Sequence, residues 1–151
     1  MTAPPPPSLE LAWTAFVDIG ERRPLGRTPL GERFIIDILG GHFEGPRLRG
    51  RVLPGGADRQ LLRPDGVKLL DALYEMQTDD GAVLTILNSV VVDDSRQPRR
   101  YALSHLRVTA PEGPHAWMNR RTFVGTLQSL RPQRQAVLVR GFLVVDEELP
   151  A

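Results

Sequence analysis

Two long apolar runs, residues 67–78 and 82–92, flank the turn sequence Asp79-Asp80-Gly81. An Asp-Gly turn between two runs of strand length is a strong hairpin signal, because glycine adopts the positive φ that tight hairpin turns need. The second run is apolar on both alternating faces, which indicates a strand that faces water on neither side. A helix over residues 65–76 is the alternative, since Val67, Leu70 and Tyr74 recur at helical spacing. The turn and the matching second run favour the hairpin.

The same alternation with period two marks residues 9–19, where apolar positions from Leu9 to Ile19 alternate with Glu10, Thr14 and Asp18. Further strands are predicted near residues 33–39, 43–52, 101–110, 121–126 and 135–146, and a loop is predicted at residues 24–31. Seven or more strands without helical blocks predict an all-β fold with little helix. Because several strands are apolar on both faces, we expect an antiparallel β-barrel that forms a homodimer through one outer face.

Length and composition bound the class of protein. The 151 residues suffice for one domain, which we place at residues 9–146, between a disordered Pro-rich tail at residues 1–8 and an acidic tail at residues 147–151. Apolar runs of about 18 residues and a signal-peptide pattern are both missing, so a cytoplasmic protein with no membrane partner is expected. The 19 basic and 18 acidic residues are interleaved, which argues against binding to nucleic acid.

A glycine-rich block at residues 40–58 reads Gly-Gly-His-Phe-Glu-Gly-Pro-Arg-Leu-Arg-Gly-Arg-Val-Leu-Pro-Gly-Gly-Ala-Asp. Shorter blocks follow at residues 63–66 (Arg-Pro-Asp-Gly), 78–82 (Thr-Asp-Asp-Gly-Ala) and 117–126 (Trp-Met-Asn-Arg-Arg-Thr-Phe-Val-Gly-Thr). Together these blocks resemble the domain of unknown function 3237 family, also called UPF0311, over nearly the whole chain.

The resemblance implies a lipocalin-like antiparallel barrel with a central cavity. It also implies small organic molecules as substrates, since the members with assigned roles act in cyclisation-type steps of secondary metabolism. Two departures from the family pattern change the expected pocket wall. Arg59 stands where an aromatic residue, usually Trp, commonly follows the glycine-rich block, and residues 101–114 lack the usual Tyr-Phe-Arg-Thr-x-Pro motif.

Asp58 is the carboxylate of most interest, because it ends the glycine-rich block and precedes a strand-like segment. An acid at the mouth of an apolar cavity has a raised pKa and can act as a general acid or base. In the alternative interpretation, Asp58 caps the turn at residues 54–57 by accepting hydrogen bonds from backbone amides.

Five further side chains are candidates for substrate binding. Tyr74 and Asn88 lie on the predicted hairpin, where a hydroxyl and an amide can orient a polar group. Trp117 and Asn119 form an aromatic wall beside an amide donor, and Arg49 presents a guanidinium that matches a carboxylate. Each could instead be a core, turn or solvated residue.

No metal and no cofactor are predicted. The chain has no cysteine, and its histidines, His42, His105 and His115, are widely spaced without an H-x-H or H-E-x-x-H arrangement. Its glycines also lack the spacing of phosphate-binding loops.

Three functions remain open at this point. The first is a cofactor-independent cyclase or isomerase that acts on a small, partly apolar organic molecule, with Asp58 as acid or base. The second is a non-catalytic small-molecule binding protein, and the third is a packed dimeric structural or interaction module. A packed barrel interior favours the module, whereas a cavity lined by Asp58 favours the enzyme.

Overall fold

The computed structural model describes residues 3–96 and 98–146, and in this part of the chain almost every regular element is a strand. The strands are β1 (Ser8–Ile19), β2 (Arg23–Thr28), β3 (Gly31–Glu44), β4 (Gly50–Val52), β5 (Ala57–Leu62), β6 (Lys68–Thr78), β7 (Val83–Asp93), β8 (Tyr101–Thr109), β9 (Phe123–Ser129) and β10 (Ala136–Val145). A single 3₁₀ helix (Ala116–Arg120) interrupts them within the described residues.

The sheet closes on itself, because β1 pairs with β10 on one side and with the second half of β3 on the other. The strands β4 and β5 occupy one position between β3 and β6, and β2 extends the position of β1 beside the first half of β3. The result is a closed antiparallel β-barrel of eight strand positions. This confirms the predicted fold class, and it confirms the hairpin of β6 and β7.

One half of the barrel interior is filled by large side chains. Trp13, Phe123 and Leu84 are almost fully buried there, and Met118 of the 3₁₀ helix belongs to the same cluster. Gly141 makes room for the indole of Trp13, since a Cβ at that position would lie 2.5 Å from Cε2 of the ring. We call this half the closed end.

The opposite half is the open end, where β1, β5, β7 and β9 terminate and where β6, β8 and β10 begin. The register Leu62↔Lys68, Lys68↔Val92 and Val92↔Ala102 places these strand termini side by side around the barrel. The loops at this end therefore surround one opening.

The structure corrects the predicted bounds of several elements. Residues 24–31 are not a loop, because β2 runs through Pro24 as an exposed edge strand, where a missing N–H is tolerated. The strand predicted at residues 33–39 does not stop at the double glycine but continues to Glu44. The alternative that the sequence disfavoured, a helix over residues 65–76, is excluded because β6 occupies most of this segment.

The continuation of β3 has a steric cause. Gly41 has a φ of +136°, and a Cβ there would lie 1.9 Å from the carbonyl oxygen of Phe16 on β1. Glycine therefore allows the close approach of two backbones that closes the barrel. The segment predicted as one strand at residues 43–52 divides accordingly into the end of β3, a loop and the short β4.

The two predicted tails lie at the ends of the chain. Residues 3–7 have no regular secondary structure, and the predicted acidic tail at residues 147–151 lies outside the described residues. None of the helices among the described residues is long and apolar enough to cross a membrane.

Candidate functional site

The site begins with a row of three interior positions on adjacent strands. Asp58 on β5 pairs with Ala72 on β6, and Ala72 pairs with Asn88 on β7. Adjacent strands lie about 4.8 Å apart, so the carboxyl and the amide stand roughly 10 Å apart at their backbones. Because the residue between them is alanine, the space between the two polar groups is left open.

This space belongs to a cavity of about 350 Å³ in the open half of the barrel. That volume is at the small end of the range for pockets that bind small organic molecules. Apolar side chains form much of the wall, among them Val17, Ile36, Leu70, Val90, Leu127 and Val139. The cavity thus combines an apolar wall with a few polar groups.

Four of those polar groups converge inside the barrel: Asp58, Gln60, Tyr74 and Asn88. Gln60 donates from Nε2 to Oδ2 of Asp58 at 2.8 Å. Among the described residues, no partner accepts from or donates to Asp58 Oδ1, Gln60 Oε1, the Tyr74 hydroxyl or Asn88 Oδ1, although all four atoms are buried. Buried polar atoms are usually paired, so four unpaired ones on residues that line one cavity indicate a place where a ligand supplies the partners.

The environment of Asp58 changes its acidity. Burial in the cavity wall raises the pKa of this carboxyl from 3.8 to about 6, against the opposing effect of the hydrogen bond from Gln60. A carboxyl group with a pKa near neutrality exchanges protons with a substrate more readily than an ordinary aspartate.

Tyr74 complements this carboxyl. Its hydroxyl is buried, and burial together with the negative charge of Asp58 raises its pKa well above the ordinary range. The phenol therefore stays protonated and is available as a hydrogen-bond donor. Beside a carboxylate that takes up a proton, such a donor can stabilise negative charge on a substrate oxygen.

The opening of the cavity carries positive charge. Four basic side chains line the cavity at the open end, and we call them the basic rim: Arg22, Lys68, Arg100 and Arg131. They come from the loop after β1, the first residue of β6, the residue before β8 and the loop after β9.

The structure brings together three of the six predicted site residues, Asp58, Tyr74 and Asn88, around one cavity. Asp58 lies within β5 rather than in the turn before it. Among the described residues its carboxylate accepts a hydrogen bond from Gln60 and none from the amides of residues 54–57, so the turn-cap interpretation is wrong.

The other three predicted residues lie away from this cavity. Asn119 donates to the carbonyl oxygen of Ala110 at 2.9 Å and accepts from its N–H at 2.8 Å, so the amide fastens the 3₁₀ helix to the end of β8. Trp117 packs against Phe123 at the closed end. Arg49 is exposed in the loop before β4.

Sequence reasoning missed Gln60 and the whole basic rim. Gln60 could have been found, because it stands two residues after Asp58 and a strand returns to the same face at that spacing. Lys68 carried a weaker signal as the only lysine of the chain. A separate observation concerns metals: the described residues contain no group of three His, Asp or Glu side chains that could hold an ion.

The chain is similar in sequence to one family of proteins. A family model described as "Protein of unknown function (DUF3237)" matches residues 7–144. A UPF0311 protein from Rhodopseudomonas palustris strain TIE-1 is 42% identical over 85 residues, which cover 55% of this chain and 56% of that relative. The chain thus matches about half the length of this curated relative.

Solved structures match over almost the entire chain. A β-barrel-like protein from Acinetobacter baumannii has a TM-score of 0.87 at 28% identity and covers 96% of this chain and 100% of that one. A conserved protein of unknown function from Rhodopseudomonas palustris has a TM-score of 0.83 at 28% identity, with coverages of 93% and 99%. An enzyme from Penicillium herquei shares the fold at 23% identity, with a TM-score of 0.76 and coverages of 96% and 99%.

Proposed function

The chain belongs to the DUF3237 family, as its sequence blocks predicted, and we propose that it binds a small, partly apolar organic molecule in the open half of its barrel and isomerises or cyclises it by proton transfer. One observation carries this proposal. Asp58, whose buried Oδ1 has no partner among the described residues and whose carboxyl has a pKa of about 6, lines a largely apolar cavity of about 350 Å³.

The proposed chemistry needs only the residues of the cavity. At neutral pH the Asp58 carboxylate takes a proton from a hydroxyl group or from an acidic C–H bond of the substrate. The Tyr74 hydroxyl donates a hydrogen bond to the substrate oxygen on which negative charge develops. In an isomerisation, Asp58 then returns the proton to the atom that the shifted electron pair reaches. In a cyclisation, the deprotonated oxygen or carbon forms a ring bond to a C=C or C=O carbon of the same molecule, the π bond opens, and Asp58 returns the proton to the atom that receives its electron pair. In both cases the product has the same molecular formula as the substrate.

The amides of Gln60 and Asn88 have positioning roles in this proposal. Gln60 fixes one oxygen of Asp58, which leaves the other oxygen directed at the ligand. Asn88 stands across the gap left by Ala72, where its amide can hold a second polar group of the same molecule. The barrel fold is compatible with catalysis, since its structural neighbour from Penicillium herquei is described as an enzyme.

The experiment is a screen of phenolic, polyketide-like and cyclic-ketone compounds in deuterated buffer, with exchange of substrate C–H for deuterium followed by NMR. A general base accelerates such exchange even when the natural reaction is unknown. We expect Asp58→Asn to lower the exchange rate by about 10²- to 10⁴-fold while binding persists. Ala72→Phe fills the gap beside Asp58 and should abolish binding of the same compounds.

The outcomes separate the proposal from its alternatives. Compounds that bind the native chain but exchange no faster than in buffer would identify a non-catalytic binding protein. Exchange that survives Asp58→Asn would exclude Asp58 as the base. A folded chain that binds no compound would favour the structural or interaction module.

A further inference from the structure

We propose that the molecule bound in the cavity is an organic anion, whose charged group lies against the basic rim at the open end and whose apolar part points inward toward Asp58. This inference rests on the proposed binding function and adds the chemical class of the ligand.

The distribution of charge around the cavity is the first argument. The chain as a whole is nearly balanced, with a formal net charge of +1. Among the described residues that line the cavity, however, the four basic side chains of the rim face a single acidic one, Asp58. A cleft lined by one sign of charge attracts ligands of the opposite sign.

Ion pairs with acidic side chains leave most of the rim charge in place. Some arginines on the outer surface are paired, such as Arg23 with Asp37 at 2.9 Å and Arg134 with Asp18 at 2.8 Å. Within the described part of the chain, the rim has one such pair, between Arg100 and Asp94 at 3.1 Å. Acidic side chains among residues 3–96 and 98–146 therefore neutralise only part of the rim.

The surroundings of Lys68 disfavour its charged form. Its pKa is lowered, first by burial and then by the positive charges of Arg100 and Arg22, against the opposing charges of Asp94 and Asp58. Like charges held near one another are unfavourable, and an anion placed between them relieves the repulsion. Arginine adds directionality, because its planar guanidinium binds an oxyanion through two parallel hydrogen bonds.

The arrangement of charged and apolar groups along the cavity sets the orientation of the ligand. Apolar side chains such as Leu70 and Val90 line the wall between the rim and the closed end, and Asp58, Gln60, Asn88 and Tyr74 lie on the strands within the barrel. An anionic group would be poorly placed beside the Asp58 carboxylate, because like charges repel. The anionic group therefore stays at the rim, and a neutral oxygen or carbon of the ligand reaches Asp58.

The test compares two fluorescent probes that share an apolar body. Anilinonaphthalene sulfonate carries a negative charge, and phenylnaphthylamine lacks it. We expect the native chain to bind the sulfonate at least about tenfold more tightly than the neutral probe, because a charge-assisted hydrogen bond in a partly buried site raises the affinity by about this factor or more. Lys68→Met and Arg100→Gln should each reduce this preference by several-fold and leave the affinity for the neutral probe nearly unchanged.

Two variants serve as controls. Arg107→Gln removes an exposed arginine of β8 that does not line the cavity, and it should keep the native preference. Ala72→Phe should weaken both probes equally, which shows that both occupy the cavity. Equal binding of the two probes by the native chain, or a preference that survives both rim variants, would overturn the inference while the binding function stands. Failure of both probes to bind would refute the binding function itself.

The single lysine provides a second readout. Acetic anhydride acylates amines, and the peptide that contains Lys68 reports on one side chain because the chain has no other lysine. The sulfonate probe should slow acylation of Lys68 by about the fraction of protein that is occupied. If saturating sulfonate leaves the rate unchanged, the anion does not lie at the rim.

Discussion

Replacing Asp58 by asparagine should make the protein more stable at alkaline pH, although the residue lies inside the barrel. Asparagine keeps the size of the side chain but cannot ionise. Burial raises the pKa of the Asp58 carboxyl from 3.8 to about 6. The folded state therefore favours the neutral acid, and ionisation of this group reduces the free energy of unfolding.

The sign and size follow from proton linkage. A group whose pKa is higher in the folded state contributes its full share of stability below the unfolded value of 3.8, and that share is lost as the pH rises to about 6. With about 1.4 kcal/mol for each pH unit, the total loss is about 3 kcal/mol. About 1 kcal/mol of it has already occurred at pH 4.5, so about 2 kcal/mol separates pH 4.5 from pH 8.

The assay is urea denaturation of the native chain and of Asp58→Asn at both pH values. The difference in unfolding free energy between variant and native chain should rise by about 2 kcal/mol in favour of the variant from pH 4.5 to pH 8. Contributions from other titrating groups and from the new amide cancel in this comparison. A rise below about 0.5 kcal/mol would refute the raised pKa and the buried environment that causes it.

Asp65→Asn is the matched control. The hydrogen bond from Arg63 and the backbone N–H of Val67 hold the pKa of Asp65 below its ordinary range. Stability from this carboxylate is present above its unfolded pKa and is lost as the pH falls through its folded one. The control variant should therefore gain no stability between pH 4.5 and pH 8.

Two further predictions concern the closed end. Gly141→Ala should lower the free energy of unfolding by about 1–3 kcal/mol, because the added Cβ would lie 2.5 Å from the Trp13 ring. The control Gly20→Ala, whose Cβ would have no neighbour nearer than 3.6 Å, should change it by less than about 0.5 kcal/mol. Equal urea midpoints for the two variants would contradict the packing of Trp13. Asn119→Ala should lower the free energy of unfolding by about 1–3 kcal/mol through the lost hydrogen bonds to Ala110 and leave the affinity for both fluorescent probes unchanged. If a folded Asn119→Ala chain binds the probes more weakly, Asn119 is a ligand-binding residue after all.

The sequence allowed a good prediction of the barrel and of part of its interior. The alternation of β6 and β7 around one Asp-Gly turn sets the register Ala72↔Asn88. With period two, Tyr74 and Asn88 must then face the same side of the sheet. This local rule places both residues on one face of the hairpin, and the barrel turns that face toward the cavity.

The other parts of the candidate site depend on closure of the barrel, which cannot be predicted from local sequence patterns. The members of the basic rim come from loops and strand ends far apart in the chain, and they share one opening because β1 pairs with both β3 and β10. The block at residues 117–126 shows the opposite case. Its aromatic and amide residues suggested a binding site, but the 3₁₀ helix places them at the closed end, where they support packing.

The most direct test of the central proposal, a small-molecule site in the open half of the barrel, is native mass spectrometry of the chain after incubation with a bacterial metabolite extract. The account predicts one bound molecule of a few hundred daltons on the native chain, as the size of the cavity requires. The same molecule should be lost from Ala72→Phe and retained by Arg107→Gln. A native chain that emerges without any bound molecule, or a molecule held equally by Ala72→Phe, would contradict a ligand site in this cavity.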